Sequence, residues 1–247
     1  MRMTIGVLGA SGGLGASTLT AAIASVGVRL LEADQAVAVD LDPRGHLDTT
    51  MCLEHLDGVR WSDLEPRHAV DLALTPQLTV ADLPGDDGIH VLAGRGADLP
   101  DWRRVAQTLD VLTPRVDVTA VDCGWRPHGS VLSRLDLLIV LTRLDARGMA
   151  DAAGLDDRLG LGRTQVALVA RGDVSRSQGQ AAGRSLRLPF LTTLADDQRI
   201  GRDAARGVPP GEGVSALDDV VAEVVTAAES SWLAELMDTE RRTARGA

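Results

Sequence analysis

The sequence predicts an α/β domain built on a doubly wound, mostly parallel sheet with helices on both faces, spanning residues 1–247 as one unit. Three observations carry that expectation. Short apolar runs alternate with helical segments along the chain, the order that produces parallel strands joined by crossover helices. Leu135 to Leu141 is apolar almost without interruption, as in a central strand covered on both faces. The apolar run Met3 to Leu8 leads into Gly9-Ala10-Ser11-Gly12-Gly13-Leu14-Gly15-Ala16-Ser17-Thr18, and a helix follows. A glycine-rich turn between strand and helix turns backbone N–H groups toward an anion, and the helix N-terminus adds partial positive charge.

The elements follow in order. Met3 to Leu8 predicts the first strand and Leu19 to Leu31 the first helix. Val37 to Asp40 predicts a short buried strand that ends in an acid, with a loop at Leu41-Asp42-Pro43-Arg44-Gly45 marked by its Pro and Gly. Residues 47 to 88 are the least regular; they hold Trp61, a helix expected around Arg67 to Leu74 and an acidic turn at Gly85-Asp86-Asp87-Gly88. Ile89 to Ala93 predicts a strand, and Asp101 to Leu112 an amphipathic helix with Asp101 as N-cap. Strands are expected at Val116 to Val121 (before Asp122), Leu135 to Leu141, Gln165 to Ala170 and Phe190 to Leu194. Helices are expected over Ala146 to Leu159, Gln178 to Leu186, 197 to 206, and about 215–238, with an Arg-rich tail at 239–247. No internal repeat or interdomain linker interrupts the series.

Composition narrows the chemistry. The chain has no lysine and no tyrosine, so a Schiff base, a phosphate-loop lysine and a Tyr/Lys reductase pair are all excluded. A net charge of −10 without a basic stripe argues against nucleic acid as a partner. Cys52 and Cys123 are far apart and form no metal spacing, which predicts a reduced, cytoplasmic protein. The five histidines share no metal-ligand spacing either. No signal peptide is visible, because Met1-Arg2-Met3 runs straight into the first strand, and no apolar run reaches the roughly twenty residues of a membrane span.

The glycine turn admits two ligand classes. In a Walker A loop the backbone cradles phosphates, a lysine neutralises them, and a Ser/Thr hydroxyl binds Mg²⁺. Here Gly12, Gly13 and Gly15 supply the turn, Ser17 stands at the Mg²⁺-binding position, Thr18 adds a second hydroxyl, and Ala16 takes the lysine's place. The same residues fit the turn of a Rossmann oxidoreductase, with Asp40 as the ribose-binding acid of an NAD(P) site. A bare turn without ligand would not need three closely spaced glycines, which cost conformational entropy. Three features favour a Mg²⁺-nucleotide site: Asp42 follows Asp40; Val118-Thr119-Ala120-Val121-Asp122 reads as a Walker B strand; and the Tyr/Lys pair is missing.

At these residues the sequence resembles the MinD/ParA class of deviant Walker A ATPases, P-loop proteins with a MinD-like fold. The Gly-Ala-Ser-Thr ending of the loop, Asp40-Leu41-Asp42-Pro43, Gly58-Val59-Arg60-Trp61-Ser62-Asp63-Leu64 and Asp196-Asp197-Gln198-Arg199-Ile200 are similar to its CpaE/TadZ branch, the actinobacterial CpaE-like or septum site-determining proteins. The resemblance covers about residues 3 to 225. It implies ATP and Mg²⁺ as ligands, a homodimer formed across the nucleotide face, and a role in placing pilus, secretion or division machinery at a pole or septum. It assigns Ser11 to Thr18 to the nucleotide, Ser17 and Asp122 to Mg²⁺, Asp40 to the switch I acid with a catalytic role, and Arg171 with the loop Leu194 to Asp196 to the base.

The departures are as informative. Relatives carry lysine at both the Ser11 and Ala16 positions, and each such charge supplies a few kcal/mol of transition-state stabilisation. Hydrolysis is therefore expected to be weak or absent, with binding kept by backbone N–H groups, Mg²⁺ and charge lent by Arg44 or Arg126. A nucleotide-free structural adaptor remains the third reading. Trp232, Leu233, Leu236 and Met237 with Arg241, Arg242 and Arg245 form a faint version of a membrane-binding tail; a packed helix with an Arg-rich end is the preferred reading of them.

Overall fold

The computed structural model describes residues 2–64, 77–94, 101–155, 159, 165–213 and 215–229. In chain order its strands are β1 (Met3–Gly9), β2 (Ala36–Asp40), β3 (Gly85–Asp86), β4 (Ile89–Leu92), β5 (Val118–Asp122), β6 (Leu137–Thr142), β7 (Val166–Arg171) and β8 (Phe190–Leu194). The helices are α1 (Ala16–Leu31), α2 (Leu47–Thr50), α3 (Trp102–Leu112), α4 (Gly129–Leu132), α5 (Ala146–Ala153), α6 (Arg176–Leu186), α7 (Gln198–Ala204) and α8 (Ala216–Glu229), with single 3₁₀ turns at Trp61–Leu64, Val80–Asp82 and Thr113–Arg115. The strands form one sheet in the order β3-β4-β2-β5-β1-β6-β7-β8. All neighbours are parallel except β3 and β4.

The fold class read from the sequence is the fold observed. β6 is buried along its whole length, so its unbroken apolar run marks a central strand. Each such Leu, Ile or Val contributes roughly 1.5–3 kcal/mol of burial. One face of the sheet is covered by α1 and α8, where Leu19, Ile23 and Val26 meet Val220, Val221 and Val224 in one core. α1 is buried nearly all round because it lies between the sheet and α8. Arg29 ties the layers together, donating to the Gly211 carbonyl at 2.9 Å and pairing with Asp218 of α8. The opposite face packs Val105, Leu109 and Leu112 of α3 and Ala182 of α6 with Trp61 and Leu64.

Several boundaries differ from expectation, for identifiable reasons. α1 begins at Ala16 rather than Leu19, because the last residues of the glycine turn already belong to the helix. α5 ends at Ala153, with Gly154 as its C-cap, so the expected helix to Leu159 is interrupted there; Leu155 and Leu159 are again helical, and residues 156–158 lie outside those described. The acidic turn is a β-hairpin: Asp87 (φ 45°) and Gly88 (φ 78°) both take the left-handed conformation that a two-residue type I′ connection needs, and β3 pairs antiparallel with β4. α4 was not anticipated; His128 caps it by accepting from the Ser130 N–H at 3.1 Å. Asp101 caps α3 as expected, accepting from the Arg104 N–H at 3.0 Å. The helix expected at Arg67 to Leu74 and the chain from 230 onward lie outside the described residues. No helix among the described residues is long and apolar enough to cross a membrane.

One core residue reaches the strand end that matters most. Trp61 is fully buried, and its indole N–H donates to the Asp40 carbonyl at 2.7 Å. Trp61→Phe removes that donor and part of the side chain, so a loss of about 1–3 kcal/mol is expected in chemical denaturation. A loss below about 0.5 kcal/mol would mean that the strand end does not depend on this bond.

Candidate functional site

Crossovers leave a crevice beyond the C-terminal ends of the strands in such a sheet, and the glycine turn lies there. It leaves β1 at Gly9 and enters α1 at Ala16. The Ala10 N–H donates to the Leu141 carbonyl of β6 at 2.9 Å, and Leu14 is buried in the core, so both ends and the middle are anchored. Gly13 (φ 76°) and Gly15 (φ 91°) adopt the left-handed conformation, at little cost only for glycine. Gly15 is the N-cap of α1 and has no side chain to cap the helix. The first-turn N–H groups therefore have no side-chain acceptor, and the partial positive charge of the helix end faces the crevice.

The crevice is an open cleft of about 820 Å³. Gly9 through Thr18 form one wall, so every loop residue singled out in the sequence, from Ser11 to Thr18, lies on it. The facing wall is Asp42 and Arg44 after β2, and Asp122, Gly124 and Trp125 after β5. Ser17 and Asp122 lie beside each other on the cleft, where the Ser17 hydroxyl favours the charged form of the Asp122 carboxylate. Asp122 is 1% exposed, and also accepts from the Gly124 N–H at 3.1 Å. Burial pushes its carboxyl above the usual carboxylate range, opposed by the Ser17 and Gly124 hydrogen bonds.

Asp40 and Asp122 are register partners on β2 and β5, yet the structure gives them different tasks. Asp40 does not line the cleft. It is 1% exposed; one carboxylate oxygen accepts from the Asp42 N–H, and the other accepts from the His46 and Leu47 N–H groups, each at 3.0 Å. These bonds fold the loop that follows β2 back over the strand end. The acid presented to the cleft is Asp42, held by a fork of hydrogen bonds to Arg44: Nε to Oδ1 at 3.1 Å and Nη2 to Oδ2 at 2.8 Å. The Arg44 guanidinium holds the Asp42 carboxyl below its ordinary range.

Arg171 stands apart from the cleft. It ends β7, and its Nε donates to Asp196 at 2.7 Å, so the structure does bring it to the loop Leu194 to Asp196. Asp196 also faces Arg143 at 3.6 Å, and both arginines line a second cleft of about 520 Å³. Arg171 nevertheless touches the glycine turn, since a Cβ on Gly15 would lie 3.7 Å from its Nη1. Trp125 is the cleft residue the sequence reading missed. It is 51% exposed and carries Arg126 over its ring at 4.4 Å. Its signal was positional, because it follows the strand that ends in Asp122.

The arrangement fits a phosphorylated ligand with a divalent cation. A Cβ on Gly12 or Gly13 would meet no atom within 4 Å, so the loop backbone is open to a ligand. Ser17 and Asp122 lie together on the cleft, a hydroxyl and a carboxylate whose oxygens could jointly hold a cation. No cluster of three His, Cys, Asp or Glu able to cage a metal exists among the described residues, so the rest of such a cation's shell would come from ligand and water.

The buried acid gives a pH dependence with a definite sign. Burial, the largest influence, and the nearby Asp122 charge raise Asp40 from 3.8 to about 6, against the opposing backbone N–H bonds. A raised folded-state value means that the folded chain binds the proton more readily than the unfolded chain. The contribution of Asp40 to stability therefore grows as pH falls through about 6 and is lost as pH rises above it. The stability gap between wild type and Asp40→Ala is expected to be larger at about pH 5 than at about pH 7.5 in chemical denaturation. A gap that shrinks toward acid would contradict this.

No family model matches the chain, and no curated protein is similar to it in sequence. Solved structures are similar in fold. A ParA family ATPase from Chlorobium tepidum matches with a TM-score of 0.71 at 17% identity, covering 91% of this chain and 98% of that one. The septum site-determining protein MinD of Pyrococcus horikoshii, solved with Mg-ADP, matches with a TM-score of 0.66 at 16% identity over 96% and 99% of the two chains. MinD in the MinC–MinD cell division complex of Aquifex aeolicus gives 0.67 at 16% identity over 91% and 96%. At such identities the likeness is one of architecture, and in architecture the chain has the fold of the ParA and MinD ATPases.

Proposed function

We propose that this protein is a Mg²⁺-nucleotide-binding switch that binds ATP and hydrolyses it weakly or not at all. One observation carries the reading: the uncapped N-terminus of α1 opens onto the same cleft as the Ser17–Asp122 contact. Backbone N–H groups of Gly12 to Ser17 would hold the phosphates, and Ser17 and Asp122 would hold Mg²⁺. When bound, Mg²⁺ would neutralise part of the phosphate charge. Arg171, which pairs with Asp196, and the Leu194 to Asp196 loop would face the base. Asp40 serves as a positioning residue, since its carboxylate holds the loop that presents Asp42.

The glycine turn itself carries no cationic side chain, with Ser11 and Ala16 where relatives have lysine. Each lost electrostatic contact of that kind costs a few kcal/mol at the transition state, and each 1.36 kcal/mol is tenfold in rate. Occupancy, rather than turnover, would then be the signal. The Pyrococcus MinD was solved with Mg-ADP and the Aquifex MinD with MinC. By analogy we assign this chain a cytoplasmic role as a homodimer at a pole or septum, docking pilus, secretion or division proteins in the manner of the CpaE/TadZ branch. The exposed Trp125 at the rim supports a face that changes partners with occupancy.

Calorimetric titration tests the reading. ATP with Mg²⁺ is expected to bind, EDTA to weaken binding at least about tenfold, and Asp122→Ala to abolish that metal dependence. Phosphate release should stay negligible over the titration. Binding of NADPH in place of ATP would favour the oxidoreductase reading, and no binding of either up to about millimolar, a free energy near 4 kcal/mol, would leave only a structural adaptor.

A further inference from the structure

We propose that Arg44 is the phosphate-binding cation of this cleft, held in reserve by Asp42 and released when a divalent cation competes for the Asp42 carboxylate. This rests on the Mg²⁺-nucleotide reading above and assigns the charge that the glycine turn lacks.

The cleft contains one cationic side chain among its described lining residues, and it is Arg44. The chain has no lysine at all, so any charge neutralisation by a side chain must come from arginine. Arg44 is well suited: a guanidinium presents a planar fork that matches phosphate oxygens two at a time. At present that fork is occupied by Asp42, through Nε and Nη2, while the Arg44 backbone N–H donates to the same carboxylate at 2.9 Å. The backbone bond keeps the two residues together whichever way the guanidinium points. The side chain is 73% exposed, so it is free to swing, and a solvent-exposed pair of this kind is weak.

Asp42 links Arg44 to the cation site. It is only 19% exposed and close enough to Asp122 for the two charges to interact. Ser17 lies beside Asp122 on the cleft. Positive charge placed beside Ser17 and Asp122 therefore also attracts Asp42, and weakens its hold on Arg44. The loop that carries both residues stays fixed, because Asp40 binds its backbone at three points. Only the guanidinium has to move. The result is a coupled site: without the cation, Asp42 neutralises Arg44; with it, Arg44 becomes available to the anion.

A mutant cycle read by calorimetry tests this with ATP and with inorganic tripolyphosphate, each with Mg²⁺ and with EDTA. Arg44→Ala is expected to weaken ATP–Mg²⁺ binding about 10- to 100-fold, the range for a lost charge-assisted contact. Asp42→Asn is expected to tighten metal-free ATP by about tenfold relative to wild type, because Arg44 is freed without a cation. The double variant separates the clamp from simple removal of negative charge: Asp42→Asn/Arg44→Ala should bind metal-free ATP no tighter than Arg44→Ala alone. The proposal is overturned if Arg44→Ala binds like wild type, or if the tightening by Asp42→Asn survives in the double variant. Far-ultraviolet circular dichroism and thermal melts confirm that each variant is folded, and Arg44→Lys should recover part of the affinity if charge rather than fold is at issue. Should wild type fail to bind ATP in any condition while Asp42→Asn binds tripolyphosphate through Arg44, the clamp stands and the nucleotide reading falls. If neither binds, both fall.

Discussion

The site depends on how one buried carboxylate is satisfied. Asp40 ends β2 in a position closed to solvent, where an unpartnered charge would be costly. Its oxygens find three backbone N–H groups, those of Asp42, His46 and Leu47. That solution fixes the path of the loop from residue 41 to 47, and with it the placement of Asp42 and Arg44 opposite the glycine turn. Trp61 holds the same strand end through the Asp40 carbonyl. Next door, Asp122 solves the same problem differently, with the Ser17 hydroxyl and the Gly124 N–H. One acid therefore organises the wall and its neighbour faces the cleft, although the two are register partners.

Much of this was legible in the sequence, because it lay in local signals. Unbroken apolar runs marked the parallel strands, three glycines between strand and helix marked the turn, and acids at two strand ends marked the crevice. The division of labour between Asp40 and Asp42 was not legible. Two residues apart in sequence, they would share a face if the strand continued, but β2 ends at Asp40 and the chain turns. Only the turn decides which carboxylate faces inward. Arg171 shows the same limit, since its partner Asp196 lies 25 residues away and reaches it through tertiary packing. Trp125 carried no motif, and the hairpin at Asp87-Gly88 read as a turn because its first strand is only two residues long.

An arginine-only composition shapes what the cleft can do. A lysine in the glycine turn would be a permanent point charge against the phosphates. Arginine is longer and planar, and here it stands on the facing loop, where an acid two residues away can neutralise it. Charge in this cleft is then conditional on what else is bound. Such conditionality suits a protein whose output is occupancy.

The most direct measurement is hydrogen exchange with and without ATP and Mg²⁺. The account predicts slower exchange in two separate segments, the glycine turn at residues 10–18 and the loop at residues 41–47, with smaller changes in the sheet behind them. Exchange that is unchanged in the glycine turn, or protection confined to the Arg143–Arg171 cleft, would contradict it.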